Sequence, residues 1–123
     1  MYRTLLHAKI HRATITAADI SYEGSLSVDS DLLSAAGLRE FELVTVADVT
    51  NGARFDTYLI AGPAGSGMIQ VNGAAARLAN VGDLVIVMAY ATVPEPLPGD
   101  WSPNIVLVDE KNRIREIRHR SHS

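Results

Sequence analysis

Cysteine is absent from the 123 residues. That excludes disulfides, thiolate nucleophiles and Cys-ligated metals, and it allows a reducing compartment without requiring one. Aromatic residues make up only 6% and the formal net charge is -3, so the body of the chain lacks the basic face with interleaved aromatics that nucleic-acid binding needs. Long apolar runs are missing too. The longest, Leu84 to Ala91, is too short to cross a bilayer, and the opening Met1 to His7 has no apolar core of signal-peptide length. These absences predict a soluble, cytoplasmic protein with no nucleic-acid or membrane partner. Lysine is scarce: Lys9 is the only one before Lys111. Of the eleven basic residues, Lys111, Arg113, Arg115, Arg118 and Arg120 fall in the last thirteen positions, which reads as a basic, flexible tail over 110–123 that frays after Asp109.

What is present fits one small core. With 47% hydrophobic residues and no linker or internal repeat, residues 1–109 form a single domain. From Thr4 to Thr16, Leu5, His7, Lys9 and His11 alternate with Leu6, Ala8 and Ile10, which is strand patterning with one polar face. Asp29 to Gly37 predicts a short helix with an Asp or Ser cap and a glycine stop. Glu40 to Val49 alternates as a half-buried strand, Asn51-Gly52 is a hairpin turn, and Arg54 to Ile60 is the return strand. Ile69 to Val71 is a short strand. Leu84 to Val93 is the strongest, and its continuous apolar run predicts burial on both faces. Pro94 to Gly99 breaks the sheet before a last strand at Ile105 to Val108. Many short strands, stubby helices and Gly-marked turns predict a mainly β fold, a small closed barrel.

Several polar stretches carry possible chemistry. In Tyr22-Glu23-Gly24-Ser25, the glycine would let the backbone enter a strained turn with its carbonyl open to the Ser25 hydroxyl. Attack there would shift the acyl group from nitrogen to oxygen, and β-elimination and hydrolysis would leave a pyruvoyl group at a new N-terminus. Taken alone, Gly-Ser is an ordinary turn pair. Lys9 and His11 point the same way from their strand, and a solvated edge charge is the plain reading of Lys9. Arg54, Asp56 and Tyr58 share one face of an ideal strand, so Arg54 and Tyr58 can face a common space, whereas Thr57 would need a bulge or a barrel corner to join them. Without further context these are a surface arginine and an interfacial tyrosine. Asn72-Gly73-Ala74-Ala75-Ala76-Arg77 is a turn feeding small residues, whose backbone N–H groups a ligand can approach.

Together these residues resemble a known family. Lys9-Ile10-His11-Arg12, Ala18-Asp19, Tyr22-Glu23-Gly24-Ser25, Asn51-Gly52, Arg54, Thr57-Tyr58, Asn72 to Ala76 and Val81-Gly82-Asp83 are similar to the pyruvoyl-dependent aspartate decarboxylases, which make β-alanine for pantothenate synthesis. The resemblance implies a six-stranded double-psi β-barrel and a homotetramer with active sites between subunits. It implies self-cleavage at Gly24-Ser25, with Ser25 becoming the covalently bound pyruvoyl cofactor that forms the Schiff base with L-aspartate, and no metal. By the same resemblance Tyr58 is the proton donor, Thr57 contacts substrate and assists processing, Gly73, Ala74 and Ala75 bind substrate through their backbone, and Lys9, Arg54 and Asn72 line the pocket. A maturation factor is a possible partner. The chain departs from some relatives at Ala47, where they have Trp, and at Arg77, where they have His.

The chemistry is consistent with those residue types. Loss of CO2 from an amino acid leaves a carbanion, and a ketone condensed with the substrate amine is an electron sink for it. A phenol stays protonated at neutral pH and can then reprotonate the carbon, while a dianionic substrate needs cations. Two other readings stand beside this one. A noncatalytic β-barrel binding module would keep the Gly24-Ser25 turn intact. A pyridoxal-phosphate enzyme using Lys9 would need a larger scaffold and a phosphate cup that is not evident in the sequence.

Overall fold

The computed structural model describes residues 1–118. In chain order the elements are β1 (Tyr2–Thr14), β2 (Ala17–Asp19), β3 (Ser25–Asp29), α1 (Ser30–Ala36), β4 (Leu43–Asp48), β5 (Arg54–Gly62), β6 (Ile69–Asn72), a 3-10 turn (Gly73–Arg77), β7 (Leu84–Pro94), β8 (Asn104–Val108) and β9 (Ile114–Arg118). The nine strands form one sheet in the order β2-β6-β3-β5-β4-β7-β1-β8-β9. The mainly β class is thus as expected, with nine strands among the described residues.

The order nevertheless returns on itself. β1 lies beside β7, and β2, which follows it after only Ile15 and Thr16, lies beside β6 at the far end. Ile15 donates its N–H to Asp83 O at 2.9 Å and Thr16 donates to Ile69 O at 2.8 Å, so one stretch of chain touches both ends of a six-membered circuit. This is consistent with a small barrel. Its interior is filled by the inward alternate residues, among them Ala8, Ile10, Leu26, Val28, Val44, Val46, Leu59, Val71, Val85 and Val87, all fully buried. No helix of the described residues is long and apolar enough to cross a membrane.

The local signals place α1 and the hairpin as expected. Asp29 caps α1 by accepting the Asp31 N–H at 2.8 Å, and Gly37 ends it in the left-handed region at φ 72°. β4 and β5 pair antiparallel across Asn51-Gly52.

Two expectations fail. β7 is not buried on both faces: Val85, Val87 and Ala89 are buried, while Leu84, Ile86 and Met88 are half-buried and Tyr90 is 44% exposed. Its apolar run fits its place between β4 and β1, but only the inner face meets a core within this chain. The tail does not fray after Asp109 either. Asp109 Oδ1 accepts the N–H groups of Lys111 and Arg113 at 2.8 and 3.0 Å, forming a turn that returns the chain as β9 along β8. Its side chains are all exposed, so hydrophobic pattern could not reveal it. Residues 119–123 of the expected tail lie outside the described residues.

Candidate active site

The site is built from two short strands with the same alternation. In β3 and β6, Leu26, Val28, Ile69 and Val71 face the core, so Ser25, Ser27, Gln70 and Asn72 face the other way. Antiparallel register sets Ser25 opposite Asn72 and Ser27 opposite Gln70. The Asn72 amide donates to Ser25 Oγ at 3.0 Å and to Ser27 Oγ at 3.1 Å, and its carbonyl oxygen accepts from Gln70 Nε2 at 2.8 Å. Ser25 Oγ in turn donates to Glu23 O at 3.1 Å. Asn72 is fully buried and Ser25 is 1% exposed. The Asn72 amide and the Ser25 hydroxyl are therefore satisfied on both sides, and the hydroxyl is held in one orientation.

Gly73 brings the following segment onto the Gly24-Ser25 bond. It has φ 73°, and a Cβ built on it would lie 2.6 Å from Gly24 Cα and 2.8 Å from Gly24 N. Only glycine fits on both counts. Gly24, by contrast, is outside the positive-φ set, and a Cβ on it would meet nothing within 4 Å. The expectation of a strained turn at Gly24 is thus corrected: the crowded, left-handed glycine is its neighbour Gly73. Ala74 is exposed and Ala75 half-buried on the 3-10 turn that follows, and Arg77 at its end is exposed.

Parallel pairing of β3 with β5 matches Leu26 to Leu59, which sets Ser25 level with Tyr58 on the adjacent strand. Tyr58 is half-buried, its ring 6.4 Å from that of Phe41. Thr57 is opposite the fully buried Val44, on the other face of β5, and no bulge interrupts this pairing to turn it toward Tyr58.

The two cations are farther away. Arg54 lies four residues before Tyr58 on the same face, about 13 Å along the strand. Lys9 is opposite Met88, Met88 opposite Thr45, and Thr45 opposite Asp56, which separates β1 from β5 by three strand spacings, roughly 14 Å. Lys9, Met88, Thr45, Asp56 and Arg54 are therefore spread over one outer face. Ala47 stands directly between Arg54 and Ile86 there, so the small side chain leaves space beside the arginine. His11, near Lys9, has its pKa lowered by burial and then by Lys9, Arg12 and Arg118. Its neighbourhood is cationic.

One chain thus gathers Ser25, Asn72, Gly73, Gly24 and Tyr58, and leaves Lys9, Arg54 and Thr57 apart from them. Ser27 and Gln70 were missed by sequence reasoning. Their signal was the polar period of two in Ser25-Leu26-Ser27 and Gln70-Val71-Asn72, which shows a shared polar face only once the two strands are paired.

Comparison with known proteins identifies the family. Residues 1–115 match the family model described as aspartate decarboxylase. The chain belongs to the aspartate decarboxylase family. A protein of Bordetella parapertussis named aspartate 1-decarboxylase is 54% identical over 118 residues, covering 96% of this chain and 97% of that protein. One of the same name from Corynebacterium efficiens is 56% identical over 114 residues, covering 93% and 84%.

Proposed function

We propose that this chain is an aspartate 1-decarboxylase that converts L-aspartate to β-alanine and CO2, for pantothenate and coenzyme A synthesis, after cleaving itself between Gly24 and Ser25. The observation that carries the reading is the buried Ser25 hydroxyl held by Asn72 beside a Gly24 backbone against which Gly73 is packed. Attack of Ser25 Oγ on the Gly24 carbonyl carbon breaks the Gly24–Ser25 amide and forms an ester. Elimination across the Ser25 Cα–Cβ bond releases the Gly24 carboxylate and leaves dehydroalanine, and hydrolysis releases ammonia to give the pyruvoyl group. Ser25 Oγ is bonded to a carbonyl and an amide, neither of them a base, so a maturation factor would act by supplying or ordering one.

Ser25, Asn72 and Gly73 fit a pyruvoyl group at this position, since Ser25 is buried and the Asn72 amide already donates to its side-chain oxygen. When formed, that group supplies the carbonyl electron sink for decarboxylation. The residues of the chain do the rest. The Tyr58 hydroxyl donates a proton to the substrate Cα after CO2 has left. Arg54 binds the retained β-carboxylate, because clamping the departing group would stabilise the ground state. Lys9 supplies the second positive charge. The backbone of Gly73, Ala74 and Ala75 completes the pocket.

Because Lys9 and Arg54 lie on an outer face away from Ser25, the complete site is proposed to form between copies of the chain in a homotetramer. The half-buried outer side of β7 and the exposed Phe41 and Leu43, at 72% and 69%, support such an assembly. A cytoplasmic setting belongs to the same proposal.

Intact mass tests the central step. The purified protein should appear as two fragments divided at Gly24-Ser25, and borohydride with aspartate should add mass to the larger one alone. Ser25→Ala should stay as one folded chain. A Ser25→Ala protein that still splits at this position would refute the route.

A further inference from the structure

Asp48 ends β4 and Asp83 ends the turn before β7, and both are nearly enclosed, at 2% and 8% exposure. Asp48 Oδ1 accepts the N–H groups of Thr50 and Asn51 at 2.8 and 3.1 Å, and Asp83 Oδ2 accepts that of Asn80 at 2.9 Å. The other Asp48 oxygen, Oδ2, is buried, and no N–H or O–H of the described residues reaches it. The side chain that meets Asp48 is the Asp83 carboxyl. Two carboxylates offer acceptors alone, so this contact is a hydrogen bond only when one of them holds a proton.

We propose that Asp48 and Asp83 share a proton, and that this clasp fixes the β4–β5 hairpin, with Arg54 on it, against the loop that follows Gly73, Ala74 and Ala75. The two parts already meet on either side of the acids: Asn51 Nδ2 donates to Leu78 O at 2.8 Å, Val49 N to Leu84 O at 2.7 Å, and Leu84 N to Thr50 Oγ1 at 3.1 Å. The charged side chains acting on the pair are the two acids themselves. From the hairpin they meet backbone N–H groups of Thr50 and Asn51, and from the loop that of Asn80. Burial, then the bond to Asp83, pushes the Asp48 carboxyl up. The bond to Asp48, then the Asn80 N–H, pulls Asp83 down.

The pH dependence follows. Above the ordinary value of 3.8 the unfolded chain has released this proton while the folded chain keeps it, so stability is lost as pH rises through the folded value of Asp48. The contribution of Asp83 has the opposite sign and fades only below its ordinary value. Asp48→Asn replaces the shared proton with an amide N–H at every pH, while its oxygen still accepts from Thr50 and Asn51.

Melting temperatures of the full-length protein, measured from pH 4, just above the ordinary carboxylate value, to pH 8, test the clasp. The wild type should lose roughly 3 °C or more relative to Asp48→Asn across that range, and parallel curves overturn the proposal. If Asp48→Asn does not fold, Asp83→Asn can make the same bond from the other side. Carboxyl carbon NMR of the wild type is an independent check, and ordinary titration of both acids also overturns it. Coupling to the active site rests on the reading of Arg54 as substrate-binding. It predicts that the wild-type KM for L-aspartate, divided by that of Asp48→Asn, rises severalfold over the same range while the kcat ratio stays constant. A flat KM ratio overturns the coupling, and the melting curves, which involve no substrate, judge the clasp separately.

Discussion

Tyr58 stands level with Ser25 on the adjacent strand, and its phenol is the acid assigned to return a proton to the substrate. The proton is needed only after CO2 has left. Tyr58→Phe, produced as matured protein, should therefore still let borohydride trap aspartate on the fragment beginning at position 25, while β-alanine release falls by about a hundredfold or more. Normal β-alanine output would move the role to water or to another group. At this scale the sequence was informative about residue types and silent about neighbours. Ser25, Tyr58 and Asn72 could be singled out for their chemistry, but Ser27 and Gln70 gain meaning only from the bonds that Asn72 makes to them.

The 3-10 turn from Gly73 to Arg77 shows how one element positions another. Its first residue combines φ 73° with a backbone-to-backbone approach to Gly24 that leaves no room for a methyl group. Gly73→Ala should destabilise the fold by about 1–2 kcal/mol from the left-handed conformation alone, and it should also push the turn off the cleavage site. The measurable result is a lower Tm and a smaller cleaved fraction by mass. Gly24→Ala is the contrasting case, since open space surrounds that position. Its Tm should stay near that of the wild type, and any loss of cleavage would then come from the chemistry at the bond. Sequence patterns read the elements with apolar faces well. They missed β9, which has no buried side chain and is held by backbone bonds to β8.

For the whole molecule, the spread of cations over an outer face makes a strong prediction about assembly. Ser25→Ala chains lack the pyruvoyl precursor but keep Arg54, and Arg54→Ala chains do the reverse. Each alone should be inactive. Co-expressed, they should recover about a quarter of the wild-type activity per site if Ser25 and Arg54 meet across an interface between randomly mixed copies. No recovery, with mixed tetramers shown by native mass, would place both residues of a site in one chain. The same assembly would explain why β7 is apolar on both sides although only its inner face is buried here.

The sequence by itself determined the fold class, the helix from its Asp29 cap to its Gly37 stop, the hairpin at Asn51-Gly52, and the family through motifs spread from Lys9 to Asp83. These are legible because capping, turn conformation and strand alternation depend on residues a few positions apart. Only the tertiary structure decided that Ser25 pairs with Asn72, that Gly73 rather than Gly24 bears the tight backbone, that Thr57 turns inward, and that two buried acids 35 positions apart meet. Those facts follow from strand order and register. A shift of one residue would reverse every face, and register is set by the packing of the whole barrel rather than by any local stretch.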